Sequence, residues 1–254
     1  MRAASERTDI QRKPQRPARG RVGDDLMATV AITGAGRGIG LELARQHVEA
    51  GDRVLALVRD PAGAKTLADL AAASAGKLTV HRMDVGDDAS VRAGAADTGS
   101  EPVDVLYNVA GVSGPEGAEL ESADWDAWDE TFRIMVQGPL RVLQAFLPRL
   151  GAGAKVINIS SQLAASTWPY GGYYAYSGAK AALNRMMRSV AIDLKDRGVI
   201  VGLVHPGWVQ TDMGGEGADI TPAESAAGIR KVASDWTLER SGDFLKWNGE
   251  EHAW

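Results

Sequence analysis

The sequence predicts one doubly wound α/β domain, a parallel sheet covered by helices on both faces. Three observations predict it. Short β-branched runs alternate with longer helical patterns, as in right-handed βαβ units. A glycine-rich turn, Thr33-Gly34-Ala35-Gly36-Arg37-Gly38-Ile39-Gly40, follows the apolar run Ala28–Ile32 and opens a helix-patterned segment ending at Gly51. No internal linker and no fixed-period repeat interrupts the 254 residues, a length that one large α/β domain accommodates.

Before the first strand, residues 1–23 hold seven Lys/Arg and two acids, a local charge of +5, so the remainder carries −10 of the overall −5. This stretch lacks aromatics and any sustained apolar period and cannot bury enough surface to offset its ordering entropy. Residues 1–26 are expected to be a disordered basic extension and 27–254 the folded domain, with an upstream start ahead of Met27 as the bland explanation. A nucleic-acid role for the extension fails on the acidic body and the missing recognition module.

The first strand, Ala28–Thr33, feeds the glycine turn. Such a turn lets backbone N–H groups approach a pyrophosphate with the positive end of a helix dipole behind them, so a dinucleotide is the expected ligand. The second strand, Arg53–Val58, ends at Arg59 with no acid in the place where NAD enzymes of this architecture hold the ribose 2′-OH. Arg37 supplies a second cation in the turn, and two guanidiniums suit a 2′-phosphate. NADP(H) is therefore the expected cofactor, with solvated surface arginines as the competing role. The third strand, Leu78–Met83, is followed by Asp84 and Val85; Asp84 is either an acceptor for the adenine amino group or a helix N-cap. The fourth, Val103–Tyr107, leads into Asn108-Val109-Ala110-Gly111. A long helical pattern over Asp124–Leu150 precedes the fifth strand, Lys155–Ser160.

Chemistry is signalled next. Tyr176-Ser177-Gly178-Ala179-Lys180 opens a helical pattern running to about Arg197, and the four-residue spacing sets Tyr176 and Lys180 one turn apart on one face. An ammonium near a phenol is expected to lower its pKa from the ordinary value near ~10 toward useful acid–base chemistry. Ser160-Ser161, at the end of the fifth strand, offers a hydroxyl to polarise a carbonyl. The sixth strand, Val199–Val204, ends in His205-Pro206-Gly207, and a seventh is weakly signalled near Asp243–Leu245.

On these residues the chain, over Ala28 to Trp254, resembles the short-chain dehydrogenase/reductase family. The turn matches T-G-x-x-x-G-x-G, Asn108–Gly111 is similar to N-N-A-G, and His205-Pro206-Gly207 with Thr211 looks like the P-G motif beside the nicotinamide. The runs Gly171–Tyr176 and His205–Gly215, with the ending Trp247–Trp254, resemble the C-factor and sniffer-type branch of small NADPH carbonyl reductases, some linked to signalling. The resemblance implies a Rossmann-type fold and catalysis by Ser161, Tyr176 and Lys180. It implies nucleotide binding by Gly34, Arg37, Gly38, Ile39 and Gly40, by Arg59, Asp84 and Val85, by Asn108, Ala110 and Gly111, by Tyr176 and Lys180, and by Pro206, Gly207 and Thr211. Two departures stand out. The gap from Ser161 to Tyr176 is longer than the common spacing, which leaves Ser160 as the alternative polarising residue. Met135 occupies the place of the family's tetrad Asn, keeping only its main-chain carbonyl.

The expected function is reduction of a ketone or aldehyde to an alcohol with NADP(H); the alternative is an NADPH-binding regulatory protein with weak or no turnover. Trp168, Tyr170, Tyr173, Tyr174, Trp208 and Met213 suggest either an apolar substrate wall or ordinary aromatic packing. The glycine-rich stretch Gln210–Thr221 suggests a lid. With no Cys there is neither disulfide nor thiolate site, and four scattered His show no ligand spacing, so no metal is expected and a reducing cytoplasm is compatible. No apolar stretch reaches the ~18 residues of a membrane span. The partners expected are a small carbonyl or alcohol substrate and a second copy in a homodimer or homotetramer, with neither nucleic acid nor membrane.

Overall fold

The computed structural model describes residues 27–115 and 120–254; the expectation for residues 1–26 lies outside them. Strands β1 (Thr29–Thr33), β2 (Arg53–Val58), β3 (Leu78–Arg82), β4 (Val105–Asn108), β5 (Lys155–Ile159), β6 (Ile200–His205) and β7 (Phe244–Lys246) form one sheet of order 3-2-1-4-5-6-7. Every adjacent pair is parallel. The weakly signalled seventh strand exists and pairs Leu203–His205 with Phe244–Lys246. Helices α1 (Gly38–Glu49), α2 (Lys65–Ala73), α3 (Asp88–Asp97), α4 (Trp125–Phe132), α5 (Gly138–Phe146), α6 (Tyr174–Leu194) and α7 (Pro222–Asp235) complete the doubly wound, Rossmann-type α/β domain.

The two-residue period of the strands sorts their side chains between two cores. Ala31, Leu55, Leu57 and Leu106 pack with Val91, Phe146, Leu183 and Met187 on the face covered by α3, α5 and α6. Val30, Ile32, Val54 and Ala56 pack with Leu43, Leu67, Ala226 and Ile229 on the opposite face.

Most strand ends lie within one residue of expectation; two elements differ further. Val103 donates its N–H to the Arg149 carbonyl and Asp104 to that of Thr29, so these residues lead into β4 rather than begin it. The helix expected over 124–150 is broken: a π-helical turn, Arg133–Gln137, separates α4 from α5, and a 3₁₀ turn, Leu147–Arg149, follows. Gly138 donates to the Arg133 carbonyl five residues back, and Pro139 has no N–H to return to Met135 four residues back. The wide turn therefore falls on Met135. Among the described residues no helix is long and apolar enough to cross a membrane.

Candidate active site

The site is assembled at the carboxyl ends of the strands, around the point between β1 and β4 where the strand order reverses. Thr33 ties the two strand ends together, its Oγ1 accepting the Val109 and Ala110 N–H groups at 3.0 and 3.3 Å. The turn then passes so close to β4 that a Cβ on Gly34 would lie 2.8 Å from the Ala110 backbone nitrogen, and a Cβ on Gly40 would collide with the Gly34 carbonyl oxygen. No side chain caps α1, so its first-turn amides face the cleft as donors suited to a phosphate.

A cavity of about 320 Å³ opens here. It brings together Gly34, Arg37, Gly38, Ile39, Gly40, Arg59, Asp84, Val85, Ala110, Gly111, Tyr176, Lys180, Pro206 and Thr211. The charge is graded: both arginines stand at one end, the buried Tyr–Lys pair at the other. Asp84 is not a helix cap; its Oδ1 accepts from the Gly86 N–H, while Asp87 caps α3. Arg37 pairs with Asp212 of the loop after β6 at 2.9 Å, across the mouth of the cavity. The residues present fit a dinucleotide phosphate: a glycine turn without room for side chains, open helix amides and two guanidiniums.

Three expected residues are not on the cavity wall. Asn108 is buried and its amide donates to Asn158 Oδ1 at 2.9 Å, a strand-to-strand tie beneath the site. Gly207 (φ +90°) packs under Ile220 and Trp247. Ser161 is buried and hydrogen-bonds the Tyr176 phenol. Its neighbour Ser160, which does line the cavity, donates instead to Asn184 Oδ1 at 2.6 Å, so of the two serines it is Ser161 that bonds the Tyr176 phenol.

α6 begins at Tyr174, after Tyr173 in a left-handed conformation (φ +54°), and this sets Tyr176 in its first turn. Lys180 is wholly enclosed; its Nζ donates to the Ile159 carbonyl at 2.7 Å and lies 5.7 Å from the Tyr176 ring centroid. Burial pushes the ammonium down to about 8. The phenol departs from the sequence expectation: burial holds its pKa above the ordinary value, and the Ser161 hydrogen bond offsets this only in part. The ammonium is engaged by a backbone carbonyl instead of the phenol oxygen, which is why its expected effect is missing. His205, at the end of β6, accepts the Gln162 N–H on Nδ1 at 3.1 Å, and burial pushes it down to about 4, keeping it neutral.

Sequence reasoning missed part of the wall. Met83, Val112, Ile134 and Asp212 line the cavity with Met135 and Met213. Of the aromatic residues put forward as a wall, Trp168 and Tyr170 pack edge-to-face at 5.5 Å and Trp208 donates to the Gly214 carbonyl. The aliphatic and thioether side chains form the apolar wall instead. Asn184 was also missed, although it follows Lys180 at the same four-residue spacing by which Lys180 follows Tyr176.

This fold and site define a dinucleotide-binding α/β protein with a Tyr–Lys pair at its strand ends. A family model described as short chain dehydrogenase matches residues 28–219, and the chain belongs to the short-chain dehydrogenase/reductase family of oxidoreductases. It is 44% identical over 169 residues to the C-signal protein of Myxococcus xanthus, covering 65% of this chain and 100% of that one. Among solved structures it is similar to the NADPH-bound carbonyl reductase from chicken fatty liver, with 34% identity, TM-score 0.82 and coverage of 90% of this chain and 100% of that one. It is also similar to the carbonyl reductase Sniffer of D. melanogaster, with 28% identity, TM-score 0.83 and the same coverage.

Proposed function

We propose that this protein is an NADP(H)-dependent oxidoreductase that reduces a ketone or aldehyde to an alcohol with Ser161, Tyr176 and Lys180. The observation that carries the reading is the Ser161–Tyr176 hydrogen bond beside the enclosed Lys180, at the end of a cavity whose other end presents Arg37 and Arg59. The amides of α1 and the two arginines would hold the diphosphate and 2′-phosphate, and the Lys180 ammonium the nicotinamide ribose. When bound, the cofactor supplies a hydride to the carbonyl carbon. Ser161 and Tyr176 direct their hydroxyls at the substrate oxygen, polarising it as negative charge develops. Tyr176 Oη gives its proton to that oxygen, a transfer that a phenol held above its ordinary pKa performs as an acid. Lys180, with a pKa of about 8, is poised to return the proton near neutral pH. On this proposal the protein works in the cytoplasm, and α4, α5 and α6 offer the faces for a homodimer or homotetramer.

One observation favours a second reading, a nucleotide-binding regulatory protein of low turnover. Met135 is buried with its Sδ against Gly111, and its side chain offers the proton route no hydrogen-bonding group of the kind an Asn has. Calorimetry with NADPH and NADH, followed by NADPH oxidation against ketones, aldehydes and quinones, tests both. NADPH-selective binding with turnover lost in Tyr176→Phe supports the reductase. Selective binding without turnover supports the regulator, and turnover gained in Met135→Asn would trace that silence to the thioether.

A further inference from the structure

The reductase reading leaves open what kind of carbonyl compound enters, and on that reading the charge of the entrance bears directly. Ligands of this architecture bind outside the carboxyl ends of the strands at the switch point, so the loops after the strands beyond it border the substrate end of the site. Here these are the segments after β4, β5 and β6: residues 109–124, 160–173 and 206–221. Among their described residues stand five carboxylates, Glu121, Asp124, Asp212, Glu216 and Asp219, and neither a Lys nor an Arg.

Among the described residues, three cations line the cavity, Arg37, Arg59 and Lys180. Arg37 and Arg59 stand at the nucleotide end, and Arg37 is paired with Asp212. Lys180 is buried in the cavity wall with its Nζ on the Ile159 carbonyl. Arg188 stacks over the Trp254 ring at 4.8 Å. His205 is held neutral, with Nδ1 on the Gln162 N–H. The walls that a substrate body would touch, Val112, Met135 and Met213, carry no formal charge.

A carboxylate, sulfonate or phosphate on the substrate would therefore pass loops whose described charges are all acidic and lie desolvated against apolar walls, with no unengaged cation among the wall residues at that end. Like charge at a cleft depresses encounter, and an unpaired buried charge is costly. A positive group meets the opposite field. The structure assigns to this site carbonyl compounds with an apolar body that carries no negative charge, and excludes anionic conjugates.

The test uses three para-matched probes with the NADP⁺-loaded protein: acetophenone, 4-acetylbenzoate and (4-acetylphenyl)trimethylammonium, each titrated by intrinsic tryptophan fluorescence. The expected order places the trimethylammonium compound within a few-fold of acetophenone and 4-acetylbenzoate at least about tenfold weaker. The gap should shrink in 0.5 M NaCl, where the Debye length falls to several ångströms, and in the exposed double variant Glu216→Gln/Asp219→Asn. Binding of 4-acetylbenzoate as tight as that of acetophenone overturns the assignment, as does failure of all three to bind. Tyr176-dependent NADPH oxidation by the same probes is scored separately. The expected order without turnover upholds the assignment and removes the reductase reading; turnover indifferent to probe charge does the reverse.

Discussion

Tyr176, Ser161 and Lys180 differ in how far the sequence alone reveals them. The Tyr–Lys spacing is a helical property and survives into the structure as one shared face. The choice between Ser160 and Ser161 is not legible, because consecutive residues at a strand end point opposite ways and only the Ser160–Asn184 and Ser161–Tyr176 bonds show which of them reaches the phenol. The state of the phenol is equally hidden, since it depends on burial that no spacing encodes. Tyr176→Phe is expected to lower turnover by about 10²–10⁴-fold, the usual worth of a positioned acid, while the protein still binds NADPH by calorimetry. Lys180 carries a pH signature. Its folded pKa of about 8 lies below the ordinary lysine value of 10.5, so between those values the unfolded chain binds more protons and stability rises with pH. Urea midpoints at pH 7.5, 8.5 and 9.5 should climb in the wild type, and the climb should flatten in Lys180→Met.

At the scale of elements, the strands were largely legible because β-branched runs buried on both faces leave a continuous apolar signature. Their limits moved by a residue or two where neighbouring chain, such as the Arg149 carbonyl at Val103, took a ladder donor. The break in the helix over 124–150 was not legible. Phe132 to Gln137 holds no Gly or Pro, and the π turn arises from Gly138-Pro139 beyond it. α7 shows how an element distant from the chemistry fixes the site. It starts with a capping box between Thr221 and Glu224, and one turn in, the buried Ser225 Oγ donates to the Pro206 carbonyl at 2.7 Å. Thr221→Ala is expected to cost about 1 kcal/mol of stability, the usual value of a cap, without altering nucleotide affinity. Ser225→Ala frees the Pro206 turn and should weaken NADPH binding measurably in the same calorimeter. Equal effects of the two substitutions on affinity would contradict this division.

For the molecule as a whole, the switch point between β1 and β4 dictates where a ligand sits, and ligand binding should report on global stability. With NADPH at 100 times its Kd the folded state gains about 2.7 kcal/mol, visible as a rise in Tm. Gly40→Ala, whose methyl collides with the Gly34 carbonyl oxygen, should abolish that rise while the protein remains folded by circular dichroism. The same seam divides the chain by labour. Arg37, Arg59 and Asp84 come from the segments after β1, β2 and β3, whereas Ser161, Tyr176 and Pro206 come from the other side, after β5 and β6. Substitutions that accumulate in the second group of loops can redirect which compound is processed and leave the reductant untouched. A lineage built on this sheet thus diversifies its chemistry one flank at a time, while the other flank is inherited intact.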